Sequence, residues 1–205
     1  MPNGNDTNVD DFDIELETYD EKFRGSFGEM GRGSNARVKF LQTSLRARAL
    51  HKVTLIQDID GAETWPVREL FQRDVDDVRV TRDIIPYLEN EKLVKYFSPL
   101  TLVLLPLKKN NTVASELLPA EMQDAQDGGK LSKQHEVEGL FRFRVHPNDP
   151  ALASVEYNSE RVKLVAIDGQ HRLKALKRWY KKQGGAEALS DWSIPVVILG
   201  IVKDD

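Results

Sequence analysis

The alternation of apolar and polar positions divides the chain into segments of different period. From Phe40 to Ile59, Leu41, Leu45, Ala49, Val53, Ile56 and Ile59 recur at intervals of three and four, the spacing of a helix face, although Val53 to Ile56 also fits a short strand. Past Asp60-Gly61 and Trp65-Pro66, the segment ELFQRDVDDVRVTRDIIPYLE places Val75, Val78, Ile84, Ile85 and Leu88 on a helix that is interrupted or ends near Pro86. A second helix is expected over Glu91 to Tyr96. Leu100 to Leu105, set between Pro99 and Pro106, reads as a buried strand. Lys108 to Glu136 is mostly polar, with Asp127-Gly128-Gly129 as its clearest breaker, and is expected to be a long loop. Leu140 to Val145 alternates apolar with basic, predicting a half-buried strand with Arg142 and Arg144 on one face. Val162 to Ile167 predicts a strand, Gln170 to Lys182 a helix, and Pro195 to Ile201 a third apolar strand.

Composition narrows the picture. The 205 residues are 40% hydrophobic and 30% charged, enough for one core plus some unpacked polar sequence. The longest apolar runs fall far short of the ~20 residues that span a bilayer, and no secretory signal opens the chain, so no membrane is expected and a cytoplasmic place is. Cysteine is absent, which removes disulfides, thiolate nucleophiles and Cys-ligated metals. His51, His135 and His146 lack metal-ligand spacing, and neither a Walker loop nor a G-x-S-x-G elbow is present. Residues 1–21 carry eight acids and no Lys or Arg, which leaves 25 acids against 29 bases in the rest. With the Gly-rich, basic segment 22–37 as a linker, residues 1–37 read as a flexible leader and 38–205 as the folded domain, structure beginning near Val38.

The chemistry concentrates in RVKLVAIDGQHRLKALKRWYKKQ, a strand, a glycine turn and a helix. A helix N-terminus presents unpaired N–H groups and a partial positive charge, so an anion there gains hydrogen bonds and dipole stabilisation together. Gly169 lets backbone approach a ligand, Arg172 adds a bidentate fork, and Ala175 leaves room for the helix to pack on the sheet. Leu173, Leu176 and Tyr180 form the expected buried stripe, with Trp179 at its edge. Asp168 either holds Mg²⁺ against a phosphate or caps the helix. His171 either serves a phosphate and passes a proton or packs as a satisfied histidine. Gln170 has no pKa to use and is assigned to binding. Lys174, Lys177, Arg178, Lys181 and Lys182, with Arg142 and Arg144, are candidate DNA contacts, a solvated face being the alternative.

DGQHRLKA resembles the motif that names the DGQHR-domain proteins, and GQHRLKA is similar to the GxxRxxA phosphate box of the wider ParB and sulfiredoxin superfamily. FQRDVDDVRVTRDIIPYL, with Gln72-Arg73, resembles the first ParB-type box, and the order of boxes agrees. The resemblance covers roughly Trp65 to Ile201 and points toward DndB-type proteins of bacterial DNA phosphorothioate modification, or their relatives in other DNA-modification and defence systems. It implies an α/β (α+β) domain with a small mixed sheet and packed helices. It also implies a nucleoside triphosphate or DNA phosphate at the DGQHR turn, and Gln72 and Arg73 facing that pocket, a surface salt bridge being their alternative. Sulfiredoxin chemistry is excluded, because Gln170 stands where that reaction needs a cysteine. DndB-type chains are typically longer than this one. If there is turnover, it is Mg²⁺-dependent NTP hydrolysis or DNA nicking: Asp168 places Mg²⁺ or water, His171 passes a proton, and Arg172 with the helix amides stabilises the phosphoryl oxygens. DNA, nucleotide and other DNA-modification or defence proteins are the implied partners. The alternative is a non-enzymatic DNA-binding regulator.

Overall fold

The computed structural model describes residues 19–31, 36–70, 75–108, 110–127, 130–184 and 192–203. Ten strands form one mixed sheet: β1 (Glu21–Met30), β2 (Ala36–Arg46), β3 (Val53–Leu55), β4 (Leu100–Pro106), β5 (Glu121–Asp127), β6 (Lys130–Val137), β7 (Phe141–His146), β8 (Asp149–Tyr157), β9 (Val162–Asp168) and β10 (Ser193–Lys203). Their spatial order is β3-β9-β4-β10-β2-β1-β8-β7-β6-β5. Among the described residues helix occurs as short segments, α1 (Asp77–Arg79), a π-turn (Val80–Ile84), α2 (Ile85–Glu89) and several 3-10 turns, and as one long helix, α3 (Gln170–Lys182). The class is mixed α and β, dominated by a sheet much larger than the small one expected.

β4 and β9 sit inside the sheet with both faces covered, and this explains their near-continuous apolar runs. Leu100, Leu102 and Leu104 of β4, with Leu164 and Ala166 of β9, face a large core shared with Leu173, Leu176 and Trp179 of α3. Val103, Leu105, Val165 and Ile167 face a second core around Trp65, Ile56 and Ile201. The sheet also curls on itself. Gly200 of β10 lies so close to β7 that a Cβ there would stand 2.5 Å from the Phe143 ring, although three strands separate the two in the sheet order.

Four expectations are corrected. The segment Phe40 to Ile59 is not a helix but β2, a 3-10 turn and β3, because a spacing of four is also an even number: Leu41 and Leu45 share one face of a strand as readily as of a helix. Within the expected leader, residues 21–30 form β1. Its glycines there are required by space: a Cβ on Gly25 would lie 2.0 Å from the Gln42 carbonyl oxygen, and one on Gly28 would lie 2.2 Å from the Phe40 ring. The expected loop 108–136 contains the antiparallel pair β5–β6, in which Asp127 of the expected breaker closes β5 opposite Lys130, while Gly128 and Gly129 lie outside the described residues. No helix forms over Glu91 to Tyr96, where the Tyr87 hydroxyl donates to the Val94 carbonyl and accepts from the Tyr96 amide.

Candidate functional site

β9 ends at Asp168, where its antiparallel pairing with β4 is interrupted by a bulge at Thr101/Leu102. The chain then turns through Gly169 at φ 80°, a left-handed conformation that side chains resist. A Cβ there would stand 2.6 Å from Leu100 Cδ2 and 2.8 Å from an Arg172 guanidinium nitrogen, so the site admits only glycine without rearrangement. α3 starts at once, with Leu173 N–H donating to the Gly169 carbonyl at 2.9 Å and no side chain capping its first turn. Its buried face is Leu173, Ala175, Leu176 and Trp179, with Tyr180 half-buried, so Trp179 takes the deeper place expected for Tyr180.

This turn opens on a cleft of about 480 Å³ lined by Asp168, Gly169, His171 and Arg172 on one side and Arg79, Asp83, Ile84, Tyr87 and Phe97 on the other. Tyr87 and Phe97 meet edge to face with centroids 5.5 Å apart and supply an aromatic wall. His171 Nε2 accepts the Asp76 amide at 2.9 Å, so that nitrogen carries no proton and the imidazole ties α3 to the start of α1. Asp76 in turn caps α1, its Oδ1 accepting from Val78 and Arg79 N–H.

Two of the motif's charged groups are partly engaged within the turn. Asp168 Oδ1 accepts the Gly169 amide at 2.6 Å, and its other oxygen lies 3.6 Å from Arg172. Arg172 also donates to the Ser98 carbonyl and hydroxyl, fixing the approach to β4. Gln170 is buried with both ends of its amide unpartnered.

Comparison with known proteins finds no matching family model, curated protein or solved structure.

The other sequence candidates fall in different places. Gln72 and Arg73 lie outside the described residues. Lys174 and Arg178 both pair with Asp77, at 2.8 and 2.9 Å, and the Lys174 hydrogen bond, aided by Arg178, holds that carboxyl below its ordinary range. Lys177 donates to the Val53 carbonyl, and burial pushes its ammonium down from the ordinary lysine value. Lys182 pairs with Glu89, while Lys181 is exposed. The basic face of α3 thus docks the 76–89 segment. Arg142 pairs with Glu156 at 2.6 Å and lies over the Tyr19 ring, whereas Arg144 has, among the described residues, a 3.4 Å contact with Gln134.

Arg79, Asp83, Tyr87 and Phe97 were not singled out from the sequence. Their signal was faint: the 75–88 periodicity located a helix but not the partner of its polar side. Among the described residues no group of three or more His, Cys, Asp or Glu could hold a metal ion. Asp83 and Asp168 nevertheless both line the cleft, and one or two carboxylates completed by phosphate oxygens is a donor set that Mg²⁺ accepts. Among the described residues no helix is long and apolar enough to cross a membrane.

Proposed function

We propose that the cleft at the DGQHR turn binds a nucleotide, in a DndB-like chain that serves a DNA-modification or defence system. The observation that carries the reading is a juxtaposition. The uncapped start of α3, Arg79 and the Arg172 fork stand in the same cleft as the Tyr87–Phe97 aromatic wall. The helix start and the guanidiniums suit phosphate oxygens and the rings suit a base, and few ligands need both. On this reading β3, β9, β4, β10 and α3 form the ParB/sulfiredoxin-like part of the fold, and Asp168 and Asp83 would hold Mg²⁺, which would supply positive charge to neutralise the phosphates. His171, with Nε2 occupied by the Asp76 amide, shapes the cleft wall; hydrolysis or nicking would use water placed by Asp168.

The test is thermal unfolding with ATP and Mg²⁺, in which a ligand at one hundred times its Kd adds about 2.7 kcal/mol. Wild type is expected to shift. Arg79→Ala is expected to lose most of the shift while keeping its own melting point, because Arg79 is exposed and its capping bond is made by the backbone. No shift for wild type with any of the common nucleotides at millimolar concentration overturns the reading.

One observation favours the regulator reading, in which the turn holds the fold and the chain binds DNA without turnover. The Arg172 fork is already engaged by Ser98 and faced by Asp168. Duplex binding with a steep salt dependence, together with no nucleotide response, is its expected signature.

A further inference from the structure

On the far half of the sheet, two neighbouring cross-strand rows of β1, β8 and β7 have the same build with one difference. In the first, Glu156 lies in register between Lys22 and Arg142, and its carboxylate pairs with both. In the second, two residues along each strand, Ser154 lies in register between Arg24 and Arg144. A hydroxyl stands there in place of the carboxylate. Arg24 has no ion pair among the described residues, and the half-buried Arg144 has only its long contact with Gln134. The second row is therefore two guanidiniums flanking a hydroxyl that makes a long, 3.5 Å hydrogen bond to Glu156 Oε1, with no carboxylate in register between them.

That row lines a concavity of about 390 Å³ together with Lys22, Gly25, His146, Leu152 and Ala153. Strands lie ~4.8 Å apart, so the two arginine backbones are separated by roughly 10 Å across Ser154, a gap that arginine arms close over a tetrahedral anion. The lining holds no carboxylate and no Phe, Tyr or Trp, and the His146 imidazole adds a ring nitrogen to its hydrogen-bonding groups.

We propose that Arg24, Ser154 and Arg144 form an oxyanion clamp for a phosphate group, separate from the α3 cleft. Phosphate oxygens accept from both forks and from the Ser154 hydroxyl, which turns from its long bond to Glu156, and they take the place that Glu156 fills in the adjoining row. The same chemistry is offered by free phosphate and by the phosphodiester backbone of a duplex. The clamp does not rest on the nucleotide reading, since no residue is shared between the two sites.

The experiment uses the full chain and two probes, inorganic phosphate followed by thermal unfolding and a labelled DNA duplex titrated at several salt concentrations. Arg24→Gln and Arg144→Gln are each expected to weaken the responding probe about tenfold or more. If the duplex responds, each is also expected to lower its salt slope by about one. Ser154→Glu rebuilds the first row's pattern and is expected to abolish the response. Arg79→Ala is expected to leave it intact, which separates failure of the clamp from failure of the cleft. A response to phosphate alone assigns a small anion; a duplex response sensitive to Arg24→Gln assigns the backbone. The clamp is overturned if neither probe responds, or if the response survives Arg24→Gln, a change at an exposed side chain. Circular dichroism of each variant shows whether the fold is kept.

Discussion

His171 accepts the backbone amide of Asp76 across 95 residues of sequence, joining the first turn of α3 to the residue that caps α1. One wall of the cleft is therefore positioned by the motif that forms the other. His171→Ala returns the Asp76 amide to water and is expected to cost about 0.5–1.5 kcal/mol. The more telling readout is local: hydrogen exchange at Val78 to Val80 should quicken while β4 and β9 stay protected. Unchanged exchange would mean that the Lys174 and Arg178 pairs with Asp77 hold the segment unaided.

Gly169 is where the turn tolerates least. Alanine there must adopt φ 80° and bring its Cβ against Leu100 and Arg172. Left-handed backbone costs roughly 1–2 kcal/mol and overpacking roughly 1–3 more. Gly169→Ala is thus expected to lower the denaturant midpoint by an amount equivalent to at least ~2 kcal/mol. A near-neutral result would show that the loop before β4 yields easily.

Arg172 separates binding from support. Its guanidinium reaches Ser98 and faces Asp168, a fork geometry that lysine's single ammonium does not reproduce. Both Arg172→Ala and Arg172→Lys are expected to destabilise the chain, by about 1–3 kcal/mol for the alanine variant in urea unfolding. If Arg172→Lys is as stable as wild type, the contacts to Ser98 carry little weight and the side chain is free to serve a ligand.

Much of the site was legible in the sequence because its signals are local. The glycine turn, the polar first turn of α3 and the apolar runs of β4, β9 and β10 each lie within a single segment, and α3 begins at Gln170 and ends at Lys182 as its pattern predicts. What the sequence concealed depends on tertiary partners. β1 looked like a linker because its glycines make room for Phe40 and the Gln42 backbone, which only pairing reveals. β5 and β6 looked like a loop because their strands are largely polar, and β8 gave no expectation at all. The cleft's second wall was hidden for the same reason: nothing local tells Tyr87 or Phe97 that Asp168 lies opposite.

Glu156 links the buried polar row to acid stability. Its side chain is buried, and burial alone would raise its pKa; the hydrogen bonds from Lys22 and Arg142 outweigh that cost and hold the carboxyl below its ordinary value. A carboxyl lowered in the folded state binds its proton more readily unfolded. Its contribution is then complete above the unfolded value, near pH 4.3, and is lost as pH falls through the lower folded value. Glu156→Gln removes that contribution and leaves Arg142 and Lys22 without their shared anion, at a cost of about 3 kcal/mol at neutral pH. Against burial, Asp20 and Glu29 are also held low, by Ser159 and Lys39, and Asp77 is held low by Lys174, so an acid limb persists in the variant. Urea midpoints measured from pH 7 down to pH 2 should therefore fall less steeply for Glu156→Gln than for wild type, the two curves converging at the acid end. Parallel curves would show that Glu156 takes up its proton equally well folded and unfolded, and the row's carboxylate would then contribute nothing specific to acid stability.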